Sequence, residues 1–213
     1  MSKKEFLDEK IIEMMNEVEQ PVLPLEEEVE VKPEERTIYT GIKIKDKWVY
    51  FEERLFVEDK IKMMVPDFFT EMEQELAKIK YPSEQRPEMI LTDDTTSINL
   101  MFSYMEDEMT NEEAEEVRDQ MIGMMTRLNP GVKPQGTGVE VVANKNVAYV
   151  EFSNPVMDGK LYNLLYFLEL EGRTLMISFN CRTKEMKYWK KPAFEMMQSI
   201  QISENGKEEQ NEK

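Results

Sequence analysis

Histidine is absent from the 213 residues of this chain, and cysteine occurs once, as Cys181. The first absence excludes a neutral-pH imidazole base, every histidine-dependent triad and the usual Cys/His zinc sites. Cys181 ends an apolar run at 175–181 and, without an imidazole partner, is interpreted as a reduced, half-buried core thiol rather than a nucleophile. We therefore predict no catalytic residue, no cofactor, no metal site and no enzymatic activity.

Basic residues are also scarce, with 27 Lys and Arg against 44 Asp and Glu, so that the net charge is −17. Such a surface repels phosphate backbones and anionic lipid, which argues against nucleic acid as a partner. Residues 1–36 carry 12 acidic and 5 basic side chains, and residues 204–213 carry 4 and 2. Over half of the net charge thus lies in the two ends, which is typical of solvated tails.

Long apolar stretches are missing as well, so the sequence predicts neither a signal peptide nor a membrane span, and we expect a cytoplasmic protein. Apolar residues at near-helical spacing over 3–19 predict a short amphipathic helix, and a segment with three prolines and an acidic run follows it up to Arg36. The helix either docks weakly or binds a partner while tethered by this linker. We expect three parts: the helix and linker at 1–36, a folded domain at 37–203, and a disordered acidic tail at 204–213.

The pattern of apolar residues predicts many strands and three further helices. The strands are expected at 38–44, 48–51, 55–57, 61–65, 89–91, 97–103, 139–143, 148–152, 161–170, 174–179 and 199–202. One helix is expected from Pro66 to Ile79, one from Pro192, and the clearest from Thr110 to Leu128 behind a capping box that pairs Thr110 with Glu113. Because most strands follow one another closely, we predict an α+β fold with a largely antiparallel sheet flanked by helices.

The order of these elements resembles the PsbP/DcrB-like superfamily over roughly residues 55–203. The matching pieces are the Pro66–Ile79 segment, the Y-P-S-x-x-R-P run at Tyr81–Pro87, the long hairpin ending at Cys181 and a following Trp189. The resemblance implies an α/β/α sandwich and a binding role, since its members include a photosystem II subunit, a nuclear-import GTPase cofactor and chaperones of secretion effectors. Many members carry a signal peptide; this chain shows none and adds residues 1–54, so location and partner do not carry over.

Two motifs have plain interpretations. The segment Gly131–Gly138 has the glycine spacing that begins a P-loop, but Thr137 stands where lysine is required and Pro134 removes an amide, so we predict an ordinary loop. Asp93 and Asp94 offer oxygen ligands for a hard cation without the EF-hand order, so we predict a solvated turn there.

One basic stretch with two aromatic residues is the best candidate for partner binding. In the alternative, Trp189 packs into the core and the lysines stay hydrated. The chain also holds 18 methionines, and an exposed methionine suits an adaptable apolar contact. The candidate partner-binding residues are Arg182, Lys184, Lys187, Tyr188, Trp189, Lys190, Met124 and Met125.

These observations favour a non-enzymatic protein-binding module, an adaptor or chaperone for an apolar or basic partner segment. Two alternatives remain open: an immunity-type inhibitor of a basic toxin, and a carboxylate-dependent enzyme of unknown class.

Overall fold

The computed structural model of the chain describes residues 36–82, 86–156 and 159–203. The predicted N-terminal helix, the linker up to residue 35 and the tail at 204–213 lie outside the described residues. The described part contains twelve strands: β1 (Ile42–Ile44), β2 (Lys47–Val49), β3 (Phe51–Phe56), β4 (Ile61–Pro66), β5 (Thr70–Glu71), β6 (Met89–Thr92), β7 (Ile98–Glu108), β8 (Lys133–Val142), β9 (Lys145–Val156), β10 (Gly159–Leu170), β11 (Arg173–Arg182) and β12 (Gln201–Ile202). Its α-helices are α1 (Gln74–Lys80), α2 (Ala114–Leu128) and α3 (Met186–Gln198).

Seven strands form one antiparallel sheet in the order β5-β6-β7-β11-β10-β9-β8. A three-stranded sheet, β12-β4-β3, and the β1-β2 hairpin complete the architecture. The longest hairpin joins β10 to β11 with Leu170 opposite Arg173, and Gly172 takes the positive φ of +79° that this tight turn needs. The predicted antiparallel α+β fold is confirmed.

The two faces of the seven-stranded sheet are both covered, because successive residues of a strand point to opposite sides. Leu164 and Phe179 pack in a cluster with residues of α3 and β4. The next residue along β10, Leu165, packs with the apolar side of α2 on the other face. Helices therefore lie on both faces of the sheet, as the predicted α/β/α sandwich requires.

The capping box is present as predicted. The Thr110 backbone N–H donates to the Glu113 carboxylate at 2.7 Å, and a 3-10 turn, Asn111–Glu113, leads directly into α2. These contacts satisfy backbone groups that would otherwise be orphaned at a helix start.

The helix predicted from Pro66 is wrong in its first half. Pro66 ends β4, and the helix begins only at Gln74. Phe69 and Met72 belong to different apolar clusters, and the Met72 N–H donates to the Ile90 carbonyl at 2.8 Å, so this part of the chain follows the sheet. Ile79, where the predicted helix ends, is 79% exposed.

The loop predicted at Gly131–Gly138 is also wrong, because most of it belongs to β8, which pairs with β9. Gly138 lies opposite Tyr149, whose hydroxyl stands 2.6 Å from the place where a Cβ on Gly138 would be. The glycine is therefore needed for the close approach of an aromatic ring, not for a phosphate.

The last helix begins at Met186 and not at Pro192, which lies inside it and is buried. A proline inside a helix removes one backbone hydrogen bond, but burial of the surrounding side chains outweighs that loss here. Met196 and Met197, for example, are both fully buried.

Candidate partner-binding surface

Three aromatic side chains at the start of the described chain are exposed to solvent: Tyr39 (67%), Trp48 (48%) and Tyr50 (55%). The last two, Trp48 and Tyr50, are called the aromatic surface. The Trp48 and Tyr50 rings stack with their centroids 6.2 Å apart and their planes 15° apart, and the Arg36 guanidinium lies 4.6 Å from the centre of the Trp48 ring. Tryptophan and tyrosine exposed together in this way are typical of recognition surfaces.

Strand alternation turns these rings outward. In the β1-β2 hairpin, Ile42 pairs with Val49 and both are buried. Trp48 precedes Val49 in β2, so its side chain points to the opposite side of the hairpin and faces solvent. Gly41 has a φ of +79°, and the Tyr50 ring lies 3.0 Å from the place where a Cβ on Gly41 would be. Only glycine allows both the backbone conformation and the close approach of the ring.

Contacts with α3 hold this segment in place. The Ile38 N–H donates to the Glu195 carboxylate at 2.9 Å, and the side chain of Ile38 is 1% exposed. The Lys191 ammonium donates to the Arg36 carbonyl at 3.0 Å. The aromatic surface is thus carried by a preorganised segment, which lowers the entropy that a partner loses on binding.

Acidic and apolar groups continue the surface next to Tyr50. The Asp67 N–H donates to the Tyr50 carbonyl at 3.0 Å, which brings the backbone of the exposed Asp67 next to that of Tyr50, and Phe68 follows in the chain. Phe68 is 41% exposed and contacts Phe69 edge to face, with centroids 5.3 Å apart. Apolar rings and a carboxylate are therefore available together.

The predicted basic stretch is divided by the structure. Trp189 is a core residue, 2% exposed, with the Phe179 ring 6.0 Å away and the Phe69 ring 6.3 Å away. The prediction that Trp189 contacts a partner directly is therefore wrong. The alternative, in which Trp189 packs into the core, describes its position. Lys187 stays exposed, 4.7 Å from the ring of the half-buried Tyr188. Arg182 and Lys184 lie at the end of β11 and just after it.

Lys190 binds a carboxylate of the sheet. Its ammonium lies 2.6 Å from the Glu151 carboxylate, which also accepts a hydrogen bond from the Tyr162 hydroxyl at 2.8 Å. Glu151 is 7% exposed and Tyr162 is fully buried, and burial followed by the adjacent carboxylate raises the pKa of the Tyr162 phenol. This cluster of Lys190, Glu151 and Tyr162 links α3 to the sheet.

The methionine pair of α2 is split between core and solvent. Met125 packs in the cluster formed by Val150, Phe152 and Leu165, whereas Met124 is 43% exposed. Met196 and Met197 of α3, by contrast, are both buried, because α3 is covered both by the seven-stranded sheet and by β4.

Asp93 and Cys181, which were considered for chemistry from the sequence, have structural surroundings. The Asp93 carboxylate accepts hydrogen bonds from the backbone N–H groups of Ser97 and Ile98 at 2.7 and 2.8 Å, so it anchors its own turn. Burial raises the pKa of the Cys181 thiol to about 12, with Glu185 acting in the same direction. Within residues 36–82, 86–156 and 159–203, acidic, histidine and cysteine side chains nowhere gather in a group of three that could hold a metal ion.

The architecture and its surface define a class: an α+β protein with an antiparallel sheet covered by helices on both faces. No protein-family model matches the sequence, and no curated protein matches it either. The solution structure of cyanobacterial PsbP (CyanoP) from Synechocystis sp. PCC 6803 is similar over 72% of this chain and 92% of its own, with a TM-score of 0.54 at 12% identity. LpqN of Mycobacterium tuberculosis, described as involved in cell envelope biogenesis, is similar over 79% and 98%, with a TM-score of 0.48 at 12% identity. The chain has the PsbP-like fold.

In the described ranges no helix has the length and apolar content to cross a membrane.

Proposed function

We propose that this protein is a non-enzymatic protein-binding module, an adaptor or chaperone that holds a partner segment carrying apolar and basic side chains. The observation that carries the proposal is the aromatic surface, where Trp48 and Tyr50 stack while each is about half exposed. Burying such rings against a partner removes a large apolar area from water, and tryptophan and tyrosine are the residues most enriched among binding hot spots.

The chemistry of the surface favours a basic partner. Arg36 already shows how the Trp48 ring accepts a cation over its face, at 4.6 Å from the ring centre. The net charge of −17 attracts a cationic partner over a longer distance, and the exposed Asp67, whose backbone N–H bonds to the Tyr50 carbonyl, adds a carboxylate on this part of the chain. A segment with lysine or arginine next to apolar residues would use both features.

The test is capture of partners from an extract of the native cells by the wild-type chain and by the double variant Trp48→Ala/Tyr50→Ala. Removing a hot-spot aromatic residue weakens binding by about 2 kcal/mol or more, roughly 30-fold in Kd. The matched control is Ile79→Ala, which removes an apolar side chain that is 79% exposed on α1. The double variant should lose the partner, and the control should keep it.

Salt and fluorescence give independent readouts with the captured partner. Binding should weaken as salt rises, because a charged partner is screened beyond a Debye length of about 8 Å at physiological ionic strength. The two tryptophans, Trp48 and Trp189, differ in exposure, 48% against 2%, so partner binding should protect Trp48 from acrylamide quenching. If the double variant captures the same proteins in the same yield, the aromatic surface is not the binding site.

A further inference from the structure

A polar pocket lies at one end of the seven-stranded sheet, bounded by the end of α1, the β6-β7 turn and the ends of β10 and β11. Its volume is about 480 Å³, which falls within the roughly 300–1,000 Å³ of small-molecule sites. The name polar pocket is used for the lining residues that carry the argument: Lys80, Tyr81, Ser97, Asn99, Asn180 and Arg182.

The floor of the pocket is a buried row of polar side chains across three strands. The Thr92 hydroxyl donates to the Asn99 side-chain oxygen at 2.8 Å, and the Asn99 amide donates to the Asn180 side-chain oxygen at 2.8 Å. Asn99 is 1% exposed and Asn180 is 5% exposed. We call these two residues the amide floor.

On the same sheet face, Met101 of β7 and Ile90 of β6 form an apolar cluster. Burial of amides beside such a cluster is unfavourable unless each polar atom is hydrogen-bonded. The row meets this requirement and ends at the Tyr81 phenol, which shares a hydrogen bond with the Asn180 side chain. Burial raises the pKa of the Tyr81 phenol, and that hydrogen bond opposes the rise. The phenol thus keeps its proton at neutral pH.

Two cationic side chains, Lys80 and Arg182, line the polar pocket. The Lys80 ammonium donates to the Thr96 carbonyl and lies 3.4 Å from the Asn99 side-chain oxygen. Arg182 lines the polar pocket and also a neighbouring pocket of about 270 Å³, which Lys160 and Lys184 line with it. Four basic residues therefore meet around this end of the sheet in a chain whose net charge is −17.

The wall formed by the β6-β7 turn is fixed in advance. The Asp93 carboxylate accepts from the Ser97 and Ile98 N–H groups at 2.7 and 2.8 Å and from the Thr95 hydroxyl, so its oxygens are occupied by the turn itself. The Ser97 side chain lines the pocket at this wall. A polar wall and floor fixed by hydrogen bonds, with two cationic side chains among the lining residues, match the chemistry that binds an anion.

We propose that the polar pocket binds a small organic oxyanion, whose carboxylate or phosphate group contacts Lys80 and Arg182 while its polar body lies on the amide floor. The pocket is too polar for an apolar ligand, because such a ligand would strip water from the cationic groups of Lys80 and Arg182 without replacing it. The polar pocket and the aromatic surface are separate sites, so each proposal is tested independently of the other.

The test is a titration of the full ¹⁵N-labelled chain, followed by NMR through the side-chain amide signals of Asn99 and Asn180. Inorganic phosphate and citrate serve as the two probes, with sodium chloride at equal ionic strength as the reference. Saturable shifts of these signals with phosphate alone indicate a phosphorylated ligand, and saturable shifts with citrate alone indicate a carboxylate ligand. Saturable shifts with both probes indicate that the pocket accepts an oxyanion of either kind. Each of these results supports the proposal; shifts no larger than those in sodium chloride overturn it.

Variants assign the binding to the pocket. Lys80→Met and Arg182→Gln should each weaken binding by about tenfold or more, as expected for the loss of one charge-assisted hydrogen bond. Arg182→Lys keeps the charge and should restore most of the affinity, which separates a lost contact from a lost fold. The control Lys78→Met lies on the same helix, where Lys78 is paired with Glu75 at 2.8 Å and exposed. If Arg182→Gln binds either probe as tightly as Lys78→Met does, the probes bind elsewhere and the proposal is wrong.

Discussion

Replacing Phe179 with alanine is the sharpest test of the core that this fold implies. Phe179 is fully buried in β11, between the hydrogen-bonded strands β7 and β10. Its ring lies 6.0 Å from that of Trp189 at an angle of 32°. Because strands on both sides fix the backbone, the space left by the ring cannot close, and the change should lower the free energy of unfolding by about 3–5 kcal/mol.

Urea denaturation followed by tryptophan fluorescence measures this loss, since Trp189 reports the same part of the core. The slope of unfolding free energy against urea should stay constant, so that the midpoint alone moves. Val141→Ala is the matched control, because Val141 lies in the same sheet but is 73% exposed. It should change stability by less than about 0.5 kcal/mol. If Phe179→Ala costs no more than this control, the assignment of the sheet face to the core is refuted.

Two further predictions concern titratable groups. Burial raises the pKa of the Cys181 thiol to about 12. The native protein at pH 8 should therefore not react with Ellman's reagent, whereas the urea-unfolded chain should react. Fast labelling of the native state would contradict the buried position of Cys181. Glu169 should make stability depend on pH: burial acts to raise its pKa, but hydrogen bonds from Lys145 and from the Gly172 N–H bring the pKa below its usual value. A carboxyl group with a depressed pKa stabilises the fold above its unfolded-state pKa, and this stabilisation is lost as the pH falls through its folded-state pKa. Glu169→Gln should therefore lower the urea midpoint at pH 7 more than at pH 3. Equal losses at both pH values would rule out this linkage.

Local sequence rules predicted the elements whose signals are local. The capping box at Thr110 and Glu113 depends on two residues three positions apart, and the long hairpin that ends at Cys181 joins strands that are adjacent in sequence. Both appear in the structure where the sequence placed them. The same locality explains why the largely antiparallel sheet was predictable, since hairpin partners follow each other along the chain.

Predictions failed where a long-range contact decided the outcome. The stripe from Phe68 to Ile79 has helical spacing, yet the Met72 N–H bonds to Ile90 of the sheet, and no pattern within the stripe contains that partner. Gly138 resembles a loop glycine until Tyr149 is placed across from it. Pro192 resembles a helix start, but the burial of Met196 and Met197 stabilises a longer helix around it.

Both candidate sites were hidden from the sequence for the same physical reason. Trp48 and Tyr50 belong to a run that predicts a strand, and only the pairing of Ile42 with Val49 shows which side of the hairpin faces solvent. Asn99 and Asn180 lie 81 positions apart and meet because β7 pairs with β11. A strand fixes its own alternation but not its neighbours, so a surface or pocket assembled from several strands becomes visible only once the register between those strands is known.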